Sequence, residues 1–320
     1  MKNVKIARAA QAIKGIHAGE ITSVAVPGVE GYSGKKLIAS LQQLTQLFCT
    51  NGTAYLELGV FRGLTLISNA HANPGVPCYG IDNFSLFDDE DDEHKNLSII
   101  QNHLKRLKMK NVAIINSDFD DALDSLGTYI GKQKVGVFFV DGPHDYRSQL
   151  VPLLKIVPYL ADECAIVVDD ANYPHVRQAT NDFLRANPDF ALLAQAYTSK
   201  HIANMSAKEK EQASASWWDG VNIIVRDGTH AIERKFATEQ QKHLFPASHD
   251  LFRHELATIA FDLLKLAQRL ADAKQHEGAG IVKEMKRLVQ DHRTKHPDVF
   301  PHRNTYSSTL PAFAVHTVKR

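Results

Sequence analysis

Three cysteines, Cys49, Cys78 and Cys164, cannot staple a chain of 320 residues. A small disulfide-held fold is excluded, and a reducing cytoplasm is the expected setting. No stretch approaches the ~18 to 20 consecutive apolar residues that span a bilayer. The basic start, with Lys2, Lys5, Arg8 and Lys14, has no continuous apolar core of the kind a signal peptide needs. Neither export nor membrane insertion is therefore expected. An excess of one charge is missing too: 37 basic and 36 acidic residues leave a formal net charge of +1. That balance provides no general footprint for nucleic acid. The cluster Lys105, Arg106, Lys108, Lys110 and the acidic run Asp88 to Glu93 read as hydrated surface. The full Gly-x-Gly-x-x-Gly dinucleotide fingerprint is absent, because a frame starting at Gly59 meets Phe61 and Leu64. Internal repeats and long low-complexity segments are absent as well.

What is present is a pair of short, uninterrupted apolar runs. The first is Val135, Gly136, Val137, Phe138, Phe139, Val140, and the second is Cys164, Ala165, Ile166, Val167, Val168. Runs this short and rich in β-branched residues fit parallel strands covered on both faces. Between them Gln149 to Leu160 carries Leu150, Leu153, Leu154 and Val157 at helical spacing, which predicts a β-α-β unit. Both strands of such a unit end on the side of the sheet where open α/β folds bind ligands. Here they end in Asp141, His144, Asp169 and Asp170, so these side chains can meet in one site.

Residues 1 to about 50 read as a helical entry interrupted around Pro27, Gly28, Gly31 and Gly34; Ser33 to Phe48 puts Leu37, Leu41, Leu44 and Leu47 on one face. Strands are expected at Ala54 to Leu58, Cys78 to Ile81 and Val112 to Ile115, with a helix at Leu64 to Ala70. After the acidic pair, Val176 to Leu184 reads as a helix, and Phe190 to Leu193 and Val221 to Val225 as closing strands. A polar insertion, Ser199 to Trp218, separates those two strands and ends in Trp217 and Trp218. These rings either pack on the sheet or help form a substrate lid with the segment around Tyr32. Past Pro246, the residues Phe252, Leu256, Ile259, Leu263, Leu266 and Leu270 form an amphipathic stripe, and a short helix is expected from Ile281 to Val289. The chain thus divides into an N-terminal cover or assembly segment (1–34), a functional domain (35–230) and a helical C-terminal extension (231–320).

Polar residues recur at successive strand ends. In Glu57-Leu58-Gly59-Val60-Phe61-Arg62-Gly63, Gly59 permits a tight turn or the close approach of a ligand, and Gly63 permits close helix packing. Asp82 follows the second strand and can accept hydrogen bonds from ribose hydroxyls. Ser117 and Asp118 follow the third, where they either read an adenine edge or, for Asp118, cap the next helix. The order Glu57, Gly59, Asp82, Asp118, Asp141 favours a nucleoside-containing ligand.

With that glycine turn, Gly80-Ile81-Asp82, Val140-Asp141-Gly142-Pro143-His144-Asp145-Tyr146 and Val167-Val168-Asp169-Asp170, the chain resembles the class I S-adenosylmethionine-dependent methyltransferases. More narrowly, residues 35–230 are similar to the macrocin O-methyltransferase and cephalosporin-hydroxylase-like group. The resemblance implies a Rossmann-like α/β fold with flanking helices and a seven-stranded, mostly parallel sheet whose last strand is antiparallel. It implies S-adenosylmethionine supported by Glu57 at its methionine portion, approached by the backbone from Gly59 to Gly63, and held by Asp82 at its ribose. It also implies Mg2+ on Asp141, Asp169 and Asp170, with Asp169 standing where related enzymes often have Glu.

Three oxygen donors without a Cys/His cluster suit Mg2+ better than Zn2+. In the other reading Asp170 caps the helix that follows. His144, three residues beyond Asp141, is either the general base for a reacting hydroxyl or a partner in the turn near Pro143. The expected activity is O-methylation of a small hydroxyl-bearing metabolite, polyhydroxylated or glycosylated, with Asp141 and His144 at the reacting oxygen. The alternatives are N-methylation of a small molecule and a noncatalytic, nucleotide-responsive assembly protein. The stripe from Phe252 to Leu270 is expected to pair two copies into a homodimer, or else to pack on its own chain.

Overall fold

Alternation inside the apolar runs decides how the sheet is covered. In the run Lys134–Val140, the buried Val137 and Phe139 face one core and Phe138 and Val140 the other. The run Leu160–Asp169 repeats this, with Ala165 and Val167 set against Ile166 and Val168. A strand that is apolar on both faces requires helices on both.

The computed structural model describes residues 3–50, 52–85, 95–198, 200 and 202–233 and, in the tail, 280, 282, 283, 285–287, 290, 313–316 and 318. Its strands are β1 (Thr53–Leu58), β2 (Cys78–Asp82), β3 (Val112–Asn116), β4 (Lys134–Val140), β5 (Leu160–Asp169), β6 (Phe190–Ala196), β7 (Val221–Arg226) and β8 (Phe313–Val315). They form one sheet in the order β3-β2-β1-β4-β5-β7-β6-β8. β1 to β5 are parallel, while β7 lies antiparallel between β5 and β6, and β8 runs antiparallel along β6. Among the described residues the sheet has eight strands where seven were expected. The additional strand is only Phe313-Ala314-Val315, too short for an alternating pattern to mark it in the sequence.

On one face, α1 (Val4–Ala18), α2 (Lys35–Phe48), α3 (Leu64–Ala72) and α4 (Lys95–Arg106) contribute Ile13, Leu41, Leu66 and Ile100 to the core. On the other, α5 (Phe119–Asp124), α6 (Leu126–Ile130), α7 (Tyr146–Lys155) and α8 (Pro174–Ala186) contribute Leu123, Leu126, Leu153 and Phe183. The helix expected at Gln149 to Leu160 begins earlier, because the Asp145 side chain accepts the Ser148 N–H and caps α7. It also ends earlier: Pro158 sits in a 3-10 turn, Val157–Tyr159, and Leu160 already belongs to β5.

Cys49, Cys78 and Cys164 are free and buried. Among the described residues no helix is long and apolar enough to cross a membrane. The stripe from Phe252 to Leu270 and the run Asp88 to Glu93 lie outside the described residues, whereas 282, 283 and 285–287 of the short tail helix are helical.

The chain leaves β1 toward β2 and β3 on one side and later crosses to β4 on the other side of β1. Such a reversal of strand order opens a crevice at the carboxyl ends of the two central strands.

Candidate active site

A cavity of about 690 Å3 occupies that crevice. The turn after β1 forms its floor. Gly59 has φ +86°, and a Cβ placed there would stand 1.7 Å from the Asp141 carbonyl oxygen. The close approach that requires glycine is thus made by the neighbouring strand end, which also donates the Asp141 N–H to the Leu58 carbonyl at 2.8 Å. Gly63, also at φ +86°, opens α3.

Asp82 lines the cavity and braces the turn. Its Oδ2 accepts the N–H groups of Val60 (2.8 Å) and Phe61 (2.9 Å), and its Oδ1 accepts Phe84 N–H at 2.7 Å. Ser117 and Asp118 line the neighbouring wall, with Asp118 also accepting Asp120 N–H at 2.8 Å and capping α5.

Glu57 lies beneath this surface and does not line the cavity among the residues that do. It is fully buried, accepting the Tyr55 hydroxyl at 2.5 Å and the Thr65 hydroxyl at 2.7 Å. Burial pushes its carboxyl up to about 8. The residue ties β1 to the first turn of α3, supporting the turn from below.

At the ends of β4 and β5, one ligand atom each from Asp141, His144 and Asp170 falls within 4.8 Å of the others. His144 Nε2 lies 2.8 Å from Asp170 Oδ2, and its ring packs at 4.6 Å against Tyr173. Burial alone would lower the imidazole; the facing Asp170 carboxylate, followed by Asp141 and Asp219, overcomes it and raises the group to about 9. Burial, and then the negative Asp170, push the Asp141 carboxyl well above the ordinary range. The left-handed backbone of Asp170, φ +51°, turns its carboxylate toward His144. Tyr173 rather than Asp170 holds the N-cap position of α8, and Gln149 Nε2 bonds the Pro143 carbonyl.

Asp169 is placed differently from its neighbour. It is 2% exposed, pairs with Val221 of β7, and is absent from the cavity lining. Its Oδ1 has no hydrogen-bond partner, and burial followed by Asp141 and Asp170 drives its carboxyl well above the ordinary range. An orphaned buried carboxylate oxygen beside two further carboxylates is a set of groups that a divalent cation would satisfy.

Asp219 and Trp218 contribute to the site without belonging to a motif. Asp219, fully buried, accepts Asn172 Nδ2 at 2.7 Å and is raised to about 7 by burial and then by Asp170. It lies two residues before β7, and only the antiparallel direction of that strand brings its start to this edge. Trp217 and Trp218 part ways. Trp217 is buried, donates Nε1–H to His17 Nδ1 at 3.2 Å and stacks near Phe313. Trp218 lines the cavity, its ring 6.2 Å from Tyr32, which in turn stacks 5.4 Å from Phe61. The insertion also contains α9 (Ala207–Ser214), closed at its start by a reciprocal Ser206–Glu209 capping box.

No curated protein matches the sequence. Among solved structures, the chain is similar to the O-methyltransferase TomG from Streptomyces achromogenes, involved in tomaymycin synthesis and solved with S-adenosylmethionine. That likeness has 17% identity and a TM-score of 0.45, over 70% of this chain and 90% of that one. An O-methyltransferase from Bacillus cereus, solved with S-adenosylhomocysteine, aligns at 15% identity and a TM-score of 0.44, over 69% and 90%. An rRNA methylase from Streptococcus thermophilus aligns at 12% and 0.39, over 59% and 95%. Likenesses this distant carry no information on the acceptor. At the level of sequence families, residues 56–171, from within β1 to the turn after β5, match the model of a methyltransferase domain.

Proposed function

We propose that the protein transfers a methyl group from S-adenosylmethionine to a hydroxyl of a small metabolite, in the manner of the macrocin-type O-methyltransferases. The observation that carries this reading is the convergence of Asp141, His144 and Asp170 beside the braced glycine turn, in one cavity at the β1/β4 crevice. The matched methyltransferase-domain segment spans the same elements. The cofactor's ribose would lie toward Asp82, whose oxygens retain acceptor capacity, and its adenine toward Ser117 and Asp118. Glu57 would act from beneath, by holding the turn.

Methyl transfer forms an oxygen–carbon bond as the sulfur–carbon bond of the sulfonium breaks, releasing S-adenosylhomocysteine, and the hydroxyl must lose its proton. His144, oriented by Asp170, would take it in the fraction of molecules whose imidazole is neutral, a fraction that grows as pH rises toward about 9. Asp141 and Asp170, with Asp169 behind them, would hold Mg2+, which when bound would supply positive charge next to a developing alkoxide. Tyr32, Phe61 and Trp218 would give the acceptor an apolar face to rest on. A polyhydroxylated or glycosylated acceptor would present its C–H faces there and its hydroxyls to the acidic end. The stripe from Phe252 to Leu270 is proposed as a homodimer face. A chain ending near Pro246 would then lose oligomeric mass while still binding cofactor.

The test is release of S-adenosylhomocysteine across a panel of hydroxyl-bearing and amine-bearing acceptors, with Mg2+ and with chelator. The reading expects product from hydroxyl acceptors only, falling on chelation. Product from amines alone, unchanged by chelator, would overturn it.

A further inference from the structure

Asn172 holds both ends of the polar insertion at once. It lies in the turn between β5 and α8, two positions past Asp170, and is completely buried. Its Nδ2 donates to Asp219 Oδ1 at 2.7 Å and to Thr198 Oγ1, while its Oδ1 accepts the Thr198 N–H at 3.0 Å. The Thr198 hydroxyl donates onward to the Lys200 carbonyl at 2.7 Å. Backbone bonds repeat the connection: Asn172 N–H to the Asp219 carbonyl at 3.0 Å, and Ala171 N–H to the Gly220 carbonyl at 3.2 Å.

The fit is close enough to need glycine at position 220. Its φ is +92°, and a Cβ there would stand 2.7 Å from Asn172 Oδ1. From the other side, the buried Arg177 donates to the carbonyls of Ala171 at 2.9 Å and Asn172 at 2.6 Å. A buried amide whose donors and acceptor are all used is costly to disturb, and such a network fixes a single arrangement.

Between these anchors, the chain carries Ile202, Lys210 and Trp218 into the cavity wall. At the other end of the same turn, Asp170 holds His144. We infer that Asn172 is a positioning residue that locks segment 198–220 to the turn carrying Asp170, so that the cover and the Asp170–His144 pair move as one body. A molecule seated under the cover is thereby felt at His144. The inference rests on reading the insertion as the acceptor cover, but its test needs neither acceptor nor turnover, so its failure is distinct from failure of the methyl-transfer reading.

The test compares amide hydrogen exchange of the full chain, free and with S-adenosylhomocysteine alone, together with the NMR signal of the His144 ring nitrogens. Asn172→Ala is expected to raise exchange across 198–220 by ~10-fold or more, as loss of a buried hydrogen bond predicts, with β1 to β5 unchanged. The His144 signal should shift with it. Thr198→Val releases one anchor, so the rise should be confined to the first half of the segment. Asp219→Asn keeps an acceptor for Asn172 Nδ2 and should retain protection close to that of the wild type. Unchanged exchange and an unmoved His144 signal in Asn172→Ala would overturn the inference. So would Asp219→Asn losing as much protection as Asn172→Ala, because charge and not the lock would then be responsible. If Asn172→Ala does not fold, Thr198→Val decides: undisturbed exchange in the first half of the segment defeats the proposal.

Discussion

The parallel and antiparallel parts of the sheet bring polar residues to the cavity in opposite ways. β1 to β5 run toward it, so the residues that follow each strand arrive there: Gly59, Asp82, Ser117, Asp141 and Asp170. β7 runs away from it, so the residues that precede the strand, Trp218 and Asp219, arrive instead. On the proposed function, the first group would carry the cofactor turn and the reacting carboxylates. The second closes the cavity with Trp218 and sets the Asp219 carboxylate near His144. Variants in the parallel part should therefore change binding and chemistry, while variants in the antiparallel part should change acceptor choice and packing.

Gly59→Ala should have one of the two largest effects on stability. A Cβ 1.7 Å from the Asp141 carbonyl cannot be accommodated without separating the two strand ends. The left-handed backbone and the overpacking together predict a loss of roughly 2 to 5 kcal/mol, read from the thermal or denaturant midpoint. A wild-type midpoint would show that the strand ends do not meet as described.

Next in size are the acid–base variants. His144→Gln should lower turnover by ~10^2- to 10^4-fold with cofactor affinity nearly intact. Parallel losses of affinity and fold would instead make the residue structural. Asp141→Asn should weaken Mg2+ binding by ~10- to 100-fold or more, followed by calorimetry beside a folded-state measurement.

His144 also predicts a pH window. Its folded value of about 9 lies above its ordinary 6.5. The stabilisation it shares with Asp170 is therefore complete below 6.5 and lost as pH rises through about 9. Denaturant titrations across that range should show stability falling in the wild type and a flatter profile in His144→Gln.

The two tryptophans sharpen the contrast within the antiparallel part. Trp217→Ala, which removes a buried ring, should cost ~3 to 5 kcal/mol and leave the ranking of acceptors alone. Trp218→Ala should cost less and reorder the acceptors. The reverse assignment of effects would exchange the roles of cover and core. Glu57→Gln should show itself in the pH profile of stability. Because the buried carboxyl is raised to about 8, the folded protein holds its proton and loses stability as pH climbs from 4.5 toward 8. The amide should remove that slope.

The parallel part was legible because burial on both faces leaves continuous apolar runs such as Val135–Val140, and the polar residue ending each run then stands out. The order of Glu57, Gly59, Asp82 and Asp141 follows from that alone. Which way each side chain points was not legible. Glu57 sits inside a strand, and alternation turns it down onto Thr65 and Tyr55. Asp169 and Asp170 are adjacent, and strand geometry sends them to different surroundings, one paired with Val221 of β7 and one turned to His144. Asp219 could not be found by looking past strand ends, since it precedes an antiparallel strand; Asn172 does follow β5, but what it does depends on Thr198 and Asp219, both distant in sequence. Trp217 and Trp218 illustrate the same limit: composition marked both, and only the packing of α1 and β8 shows which is core.

The most direct test of the central claim is a crystal structure of the full chain with S-adenosylhomocysteine and Mg2+. The account predicts the ribose hydroxyls at Asp82, the sulfur facing the Asp141–His144–Asp170 cluster, and the metal on Asp141 and Asp170. A product molecule bound away from the β1/β4 crevice, or a metal that avoids both carboxylates, would contradict it.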